Sequence, residues 1–514
     1  RTNLAGTNTL SDYLNAYPKL EVPFKTLVSA TGWIDYEGAR LFCTPGKTYG
    51  SPGLSEKIYY DGETKETTGQ SKKGNVQDWI ENVGAHALRS TRVVFAICVA
   101  FASPCLRIVG SEGGGFNLYG QSSKGKTTAL RAGASVYGAP GVWVKSWNTT
   151  ATAFEKTVRA YNDLVICLDE AGESLSKSLG SDVYKLTNGR ERGRARVRGD
   201  SIVMRETPPE PWRVLALSAS ELTLSQLMQV NDRTATAGQE VRLVDVPANA
   251  EGVPPEYGVF DRVREGESTK AIADALNSGV ERAHGATGDE WLGYLAQHYD
   301  DARTALDTYI AEFKTRFEAL RAKAQKEKLS TQGGRVLERF ALAYSAGRLA
   351  TEQGLTGWTE SQVFDACAGC ASSVVDNFVK DKEIKNAINS LYALITQRWD
   401  SFPANSYDKV NERLGVRYWA DSEGSPLKNV VITEEENAPR ENAVLMLAHV
   451  FDKNVAPASA NAVARYLMDK GAIPPQASAG GHGAGRVGTL RRQISGTPYK
   501  GYVLFVEKLA ELAN

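Results

Sequence analysis

G-F-N-L-Y-G-Q-S-S-K-G-K-T-T, running from Gly115 to Thr128, combines a short apolar strand, a tight glycine loop and the start of a helix. Inside it Gly120 to Thr127 fill the pattern G-x-x-x-x-G-K-[ST]. Phe116 to Tyr119 have strand character, and Thr128 to Ala134 open a helix. That strand–loop–helix setting makes the pattern a phosphate-loop hypothesis rather than a chance glycine turn. Glycines let the backbone turn its N–H groups inward on an anion. The following helix adds its positive end. Gly120, Ser122, Ser123, Lys124, Gly125, Lys126, Thr127 and Thr128 are therefore the expected nucleotide-binding residues. Lys126 is expected to reach the β- and γ-phosphates of ATP, and the Thr127 hydroxyl to ligate Mg²⁺.

Downstream, L-V-I-C-L-D-E from Leu164 to Glu170 is a continuous apolar run ending in two carboxylates. Such a run is what a strand buried on both faces of a parallel sheet requires. Ligands bind at the carboxyl ends of strands in open α/β sheets. Asp169 is thus expected to hold Mg²⁺ and Glu170 to orient or deprotonate the attacking water. W-R-V-L-A-L-S-A-S-E from Trp212 to Glu221 has the pattern of a second buried strand with a polar end, where Ser218 is the candidate for sensing the γ-phosphate. Gly238 to Pro247 has the pattern of the last core strand, with Arg242 at its head.

Between the two inner strands lies G-R-E-R-G-R-A-R-V-R-G-D, Gly189 to Asp200. Its arginines recur at every second position, which in a strand puts them on one face. No core accepts such a face, so the ribbon is either a solvated edge or a surface that meets phosphates. Gly199-Asp200 reads as the turn of a hairpin, with Ser201 to Arg205 returning.

The 514 residues make two to four domains the expectation. Sixty Lys and Arg balance sixty Asp and Glu. Net charge therefore draws the chain neither to nucleic acid nor to membrane, and any such binding must come from local patches. Six scattered cysteines fit reduced thiols of a cytoplasmic protein. Cys367 and Cys370 form a C-x-x-C without the second pair or histidines of a zinc site, so they are read as core residues one helical turn apart. No signal peptide opens the chain, which begins with Arg1 rather than Met, as a piece of a longer protein would. Val93 to Leu106 is apolar but interrupted by Ser103 and Pro104, too short to span a bilayer, and is read as a buried helix near the phosphate loop.

Phe24 to Tyr60 alternates strand-like runs with Gly, Pro and Asp turns. Asp289 to Phe378 has helical period, with Trp291, Leu295, Leu306, Ile310, Phe313 and Phe317 as a buried stripe. Towards the end, helices over Asn442–Phe451 and Ala458–Lys470 precede a basic segment with Arg486, Arg491 and Arg492 and a strand from Gly501 to Val506. That order suggests a winged-helix module.

The block from Thr31 to Pro247 resembles the DUF927 family of phage, plasmid and genomic-island proteins. The motifs that carry the likeness are T-G-W, G-G-G-F-N-L-Y-G-Q-S-S-K-G-K-T-T, S-W-N-T-T, L-D-E, Y-K-L-T-N-G, W-R-V-L-A-L-S-A-S-E and G-Q-E-V-R-L-V-D-V-P, in that order. The resemblance implies an AAA+ ATPase related to superfamily 3 replicative helicases, which are hexameric and work with a primase as domain or partner. It implies that Arg194, Arg196 and Arg198 belong to a hairpin lining a channel for single-stranded DNA. It also implies that Arg242 completes the neighbouring subunit's site.

The expected fold is α/β: an AAA+ P-loop core of parallel sheet flanked by helices, with a small β-rich N-terminal module and an α-helical, winged-helix-like C-terminal region. The expected segments are 1–75 β-rich, 76–266 ATPase core, 267–380 helical and 381–514 the DNA-binding module, which would take duplex DNA. No membrane partner is expected. The expected function is an ATP-dependent, ring-forming DNA helicase of a mobile element. A phosphate-loop ATPase of a phage-defence system and an origin-binding protein that uses ATP only for assembly stay open beside it.

Overall fold

A computed structural model describes residues 25–170, 182, 183, 186, 189, 195–198, 201–204, 212–229, 237–326, 328–378, 382–404, 408–427, 441–456, 458–474, 489–494 and 497–513. The chain forms two compact units, Arg1–Phe378 and Val379–Asn514.

The first unit opens with small sheets. Strands β1 (Thr26–Val28) and β5 (Ile58–Tyr60) pair in parallel, and β2 (Gly32–Tyr36), β3 (Ala39–Thr44) and β4 (Lys47–Tyr49) form an antiparallel meander. Trp33, Phe42 and Tyr49 are buried in the same apolar core as the rest of the unit. Trp33 Nε1 donates to the Pro104 carbonyl at 2.7 Å, which ties the meander to the rest of the unit.

Helix α1 (Thr91–Ala102) is apolar on all sides, T-R-V-V-F-A-I-C-V-A-F-A, and every residue of it is buried. A helix without a polar face has to be covered all round. On one side lie helix α2 (Lys126–Ala134) and a five-stranded sheet; on the other lie longer C-terminal helices of the unit. The sheet consists of β6 (Gly114–Tyr119), β7 (Val144–Ser146), β8 (Val165–Asp169), β11 (Leu215–Ser220) and β12 (Leu243–Pro247). Its order is β12-β6-β11-β8-β7, and all neighbours are parallel. Parallel neighbours need crossover connections, which α2 and α3 (Ala151–Ala160) begin to supply. Between β8 and β11, strands β9 (Ala195–Arg198) and β10 (Ser201–Met204) form an antiparallel hairpin with Ser201 opposite Arg198.

The covering helices are α4 (Thr269–Arg282), α5 (Ala286–Gln297), α6 (Tyr299–Lys323), α7 (Thr331–Glu352) and α8 (Glu360–Val375). Their caps are legible in sequence: Ser268, Ser330 and Thr359 each accept a backbone N–H three residues on. The stripe Trp291, Leu295, Leu306, Ile310, Phe313 and Phe317 is buried as its spacing predicts. Cys367 and Cys370 are buried free thiols in α8, and among the described residues no cluster of ligands could hold a metal.

The second unit pairs helices α9 (Lys382–Gln397), α10 (Ala448–Val455), α11 (Ala460–Asp469) and α12 (Val506–Ala513) with an antiparallel sheet. That sheet runs β13 (Gly415–Ala420), β14 (Glu441–Leu447), β16 (Thr497–Phe505) and β15 (Leu490–Ile494). Here the structure corrects the expected helix over Asn442–Phe451: E-N-A-V-L-M-L is a strand and the helix starts at Ala448. Strand β14 pairs on both edges, so Ala443 to Met446 are buried on both faces and show no helical period. Arg492 is spent on the backbone carbonyls of Glu423 and Gly424, and Arg486 lies outside the described residues.

Candidate active site

The parallel register brings the carboxyl ends of the core strands to one edge. Tyr119 ends β6 opposite Ser220 of β11, and Leu168 of β8 stands opposite Ser218. The chain leaves β6 towards β7 on one side, while β12 lies on the other side of β6, so a crevice opens there. The loop Gly120–Gly125 fills that position.

The loop is held in a shape few residues tolerate. Ser123 has φ +58°, and Gly125, the residue before α2, has φ +84°. A Cβ at Gly125 would also come within 2.8 Å of Val259 and 3.0 Å of Phe260. The segment Tyr257–Phe260 braces the loop from outside, with Val259 N donating to Lys124 O at 2.9 Å. Lys126 Nζ folds back on the loop and donates to the carbonyls of Gly120 and Gln121, both at 2.7 Å. Burial pulls its ammonium below the usual lysine range, against the opposing pull of Glu221 and Asp169. A cation desolvated in this way gains from an incoming anion.

Thr127 Oγ1 donates to Asp169 Oδ2 at 2.8 Å. The first helical hydroxyl after the loop and the first carboxylate after β8, distant in sequence, are thus in contact. Both are hard oxygen donors of the kind Mg²⁺ prefers. Glu170 follows with an exposed side chain and a left-handed φ of +62°, and its N–H donates to Asp169 Oδ1 at 2.9 Å. A non-glycine residue in that region is sparsely populated and is held only where its surroundings impose it.

Ser218 is fully buried inside β11, and its hydroxyl accepts Trp147 Nε1 at 2.9 Å. The polar end of the strand is two residues further on, at Ser220 and Glu221. Ser220 is bound into a network the sequence did not reveal. Asn117 Nδ2 of β6 donates to Ser220 Oγ at 2.8 Å and to Asp245 Oδ1 of β12 at 2.7 Å. Ser220 Oγ donates to Leu222 O, and Leu224 N donates to Asp245 Oδ2 at 2.9 Å. Three strands and the loop after β11 are locked together directly below the phosphate loop. Only an Asn, a Ser and an Asp in apolar strands could have signalled it.

Burial pushes the Asp245 carboxyl up to about 7, with Glu240 adding to the rise and the bonds from Asn117 and Leu224 opposing it. The folded state therefore holds a proton at pH values where an unfolded aspartate, near 3.9, has lost it. Stability from this group is complete below about pH 4 and is lost as pH rises through about 7. The stability advantage of wild type over Asp245→Asn should shrink by roughly 2 kcal/mol between pH 5 and 8. Urea unfolding at the two pH values measures it, and a pH-independent difference would refute it.

Arg242 is not at the head of a strand but ends a helical turn, Ala237–Arg242, and β12 starts at Leu243. Leu243 pairs with Gly115, five residues before the loop. At about 3.3 Å per strand residue, Arg242 stands roughly 16 Å from its own phosphate loop, at the opposite edge of the sheet. Arg196 and Arg198 occupy alternate positions of β9, and Arg194 lies outside the described residues.

Residues 2–204 match the family model DUF927, a domain of unknown function. The likeness to that family lies in this stretch. The matched region thus contains the candidate phosphate loop, the acidic strand and the hairpin. No curated protein matches the chain. Among seven solved chains that do match is one described as "SCCmec type IV Cch - active helicase". It aligns over 99% of this chain and 84% of its own length, with a TM-score of 0.64 and 20% identity. At that identity the likeness is one of fold: a mixed α/β chain with a parallel five-stranded sheet flanked by helices. Among the described residues no helix is long and apolar enough to cross a membrane.

Proposed function

We propose that this protein is a ring-forming, ATP-driven DNA helicase with an AAA+ core, the replicative helicase of a phage, plasmid or genomic island. The contact of Thr127 with Asp169 carries the reading. It joins the two halves of a nucleoside-triphosphatase site at the carboxyl edge of a parallel sheet. The fold shared with a protein described as an active helicase supports the DNA-directed part.

In this reading Gly120 to Thr128 wrap the phosphates of ATP with backbone N–H groups, and Lys126 leaves the two loop carbonyls to pair with the β- and γ-phosphates. Thr127 and Asp169 would hold Mg²⁺, which when bound neutralises phosphate charge. Glu170 accepts a hydrogen bond from the attacking water and orients it. Glu221, near enough to Lys126 to affect its proton affinity, takes the sensing role at the end of β11. Arg242 acts on the site of the neighbouring copy. Six copies form the ring, single-stranded DNA runs through its channel, and a primase acts as partner. The second unit is the module that meets duplex DNA.

A forked-duplex strand-displacement assay tests the proposal: displacement should require ATP. ATP turnover and DNA binding without displacement would instead favour the assembly or defence readings. The β9–β10 hairpin supplies a second test. Replacing Arg196 and Arg198 together by alanine should weaken single-strand binding. It should also flatten the plot of log affinity against log salt by about 0.7 for each phosphate the arginines no longer neutralise. Unchanged affinity and slope would remove the hairpin from the channel.

A further inference from the structure

A cavity of about 1090 Å³ opens in the first unit at the edge of the sheet opposite the phosphate loop. Its floor is apolar, with Leu106, Val241, Leu329, Leu337 and Leu342. Its walls are strongly basic, since cationic side chains outnumber carboxylates seven to three. The carboxylates are Glu112, Glu318 and Glu338. Part of the positive charge is already balanced: Lys314 pairs with Glu338 at 2.7 Å, and Arg321 and Lys326 both pair with Asp376. Lys328 and Arg335 are exposed and have no partner among the described residues.

Arg339 is different. Its Nη1 donates to the Val241 carbonyl at 2.7 Å, and its guanidinium fills the space a side chain at Gly114 would need. Among the described residues no carboxylate lies within ion-pair distance of it. Burial pulls it down to about 10, with Glu112 pulling the other way and Arg242 adding to the fall. A half-buried guanidinium with no carboxylate partner is well placed to pair with an incoming anion.

The start of α7 faces the same space. Ser330 caps the helix by accepting Gly333 N at 3.1 Å, while Thr331, Gln332 and Gly334 line the cavity. A side chain at Gly334 would meet nothing within 4 Å, so the first turn is open on that side. The 22-residue helix therefore presents its positive end and uncapped N–H groups there. Arg335 and Arg339, four apart on α7, stand on the same face.

We propose that this cavity is a second phosphate site, which takes the phosphate chain of a nucleotide. An apolar floor under a cationic rim fits an organic phosphate rather than a bare ion, and the volume is in the range of small-molecule sites. Lys328 and Arg335 are its open cations, and Arg242 lines the same space. The nucleotide is either free in solution or held by the phosphate loop of a neighbouring copy. The second source rests on the ring proposed above; the first does not.

Radiolabelled ATP and the full chain separate these cases. If Lys126→Ala protein still binds ATP, and adding Lys328→Ala with Arg335→Ala weakens that binding by about tenfold or more, the nucleotide is free. Suppose instead that Lys126→Ala binds none. Then Lys328→Ala with Arg335→Ala on the wild-type background should lower ATP hydrolysis about tenfold at unchanged ATP affinity, and the neighbour presents the nucleotide. Both residues are exposed, so the fold should survive, and Arg335→Lys should restore most of the effect. If the double variant matches its parent in binding and in hydrolysis, the proposal is overturned. If the wild type hydrolyses no ATP but the first pattern holds, the helicase reading falls and the second site stands.

Discussion

Lys126→Ala is expected to lower ATP hydrolysis by about 10²–10³-fold or more, the range seen when a preorganised charge-stabilising group is lost. The ammonium is in place before any nucleotide arrives: it is nearly buried and is held by the carbonyls of Gly120 and Gln121. Those two bonds do not meet its electrostatic need, since burial still lowers its proton affinity. The same residue is therefore a stability liability without ligand. Its removal should leave the melting temperature unchanged or raise it, while ATP should stabilise the variant less than the wild type. Steady-state phosphate release and thermal unfolding with and without ATP read both effects. Turnover at the wild-type rate in the variant would end the phosphate-loop reading. Loss of turnover with a large fall in melting temperature would mean that Lys126 serves the fold instead.

The parts of this site that could be read from sequence are those built by neighbours in the chain. The glycine loop, Lys126 and Thr127 act within eight residues, and the backbone shape they need is written in the glycines. Asp169 and Glu170 were legible because an apolar run both sides of which are buried stops abruptly at charge. What the sequence left hidden depended on position along or across the sheet. Ser218 and Ser220 are equivalent by composition and both are buried; only the register of β11 against β6 and β8 shows that Ser220 is the one at the strand's end, opposite Tyr119. The Asn117–Ser220–Asp245 network joins residues 103 and 128 positions apart, so no local pattern contains it. The β14 error has the same origin: E-N-A-V-L-M-L suits a helix by propensity, and strand partners on both sides override that preference.

Arg242→Ala is expected to lower ATP hydrolysis by about 10³-fold or more while ATP binding persists, as for an arginine supplied in trans. The geometry separates the two properties. Arg242 stands at the edge of the sheet where β12 begins, and the loop proposed to grip phosphate stands at the edge where β6 ends. No side chain spans the roughly 16 Å between them. Glu170→Gln should give the same phenotype from the other side of the interface, keeping ATP bound because it leaves Lys126, Thr127 and Asp169 untouched. Each variant alone is then inactive in every site. In a mixture, an interface can combine an intact Glu170 from one subunit with an intact Arg242 from the next. Random equal mixing of a head-to-tail ring makes about a quarter of interfaces complete in this way. Hydrolysis should therefore recover to a sizeable fraction of wild type once subunits exchange, and fluorescence energy transfer between labelled copies reports that exchange. A mixture that exchanges freely and stays as inactive as its parents would show that Arg242 acts within its own chain or only on the fold. Recovery would place the completed site between subunits, because neither parent contains one that works.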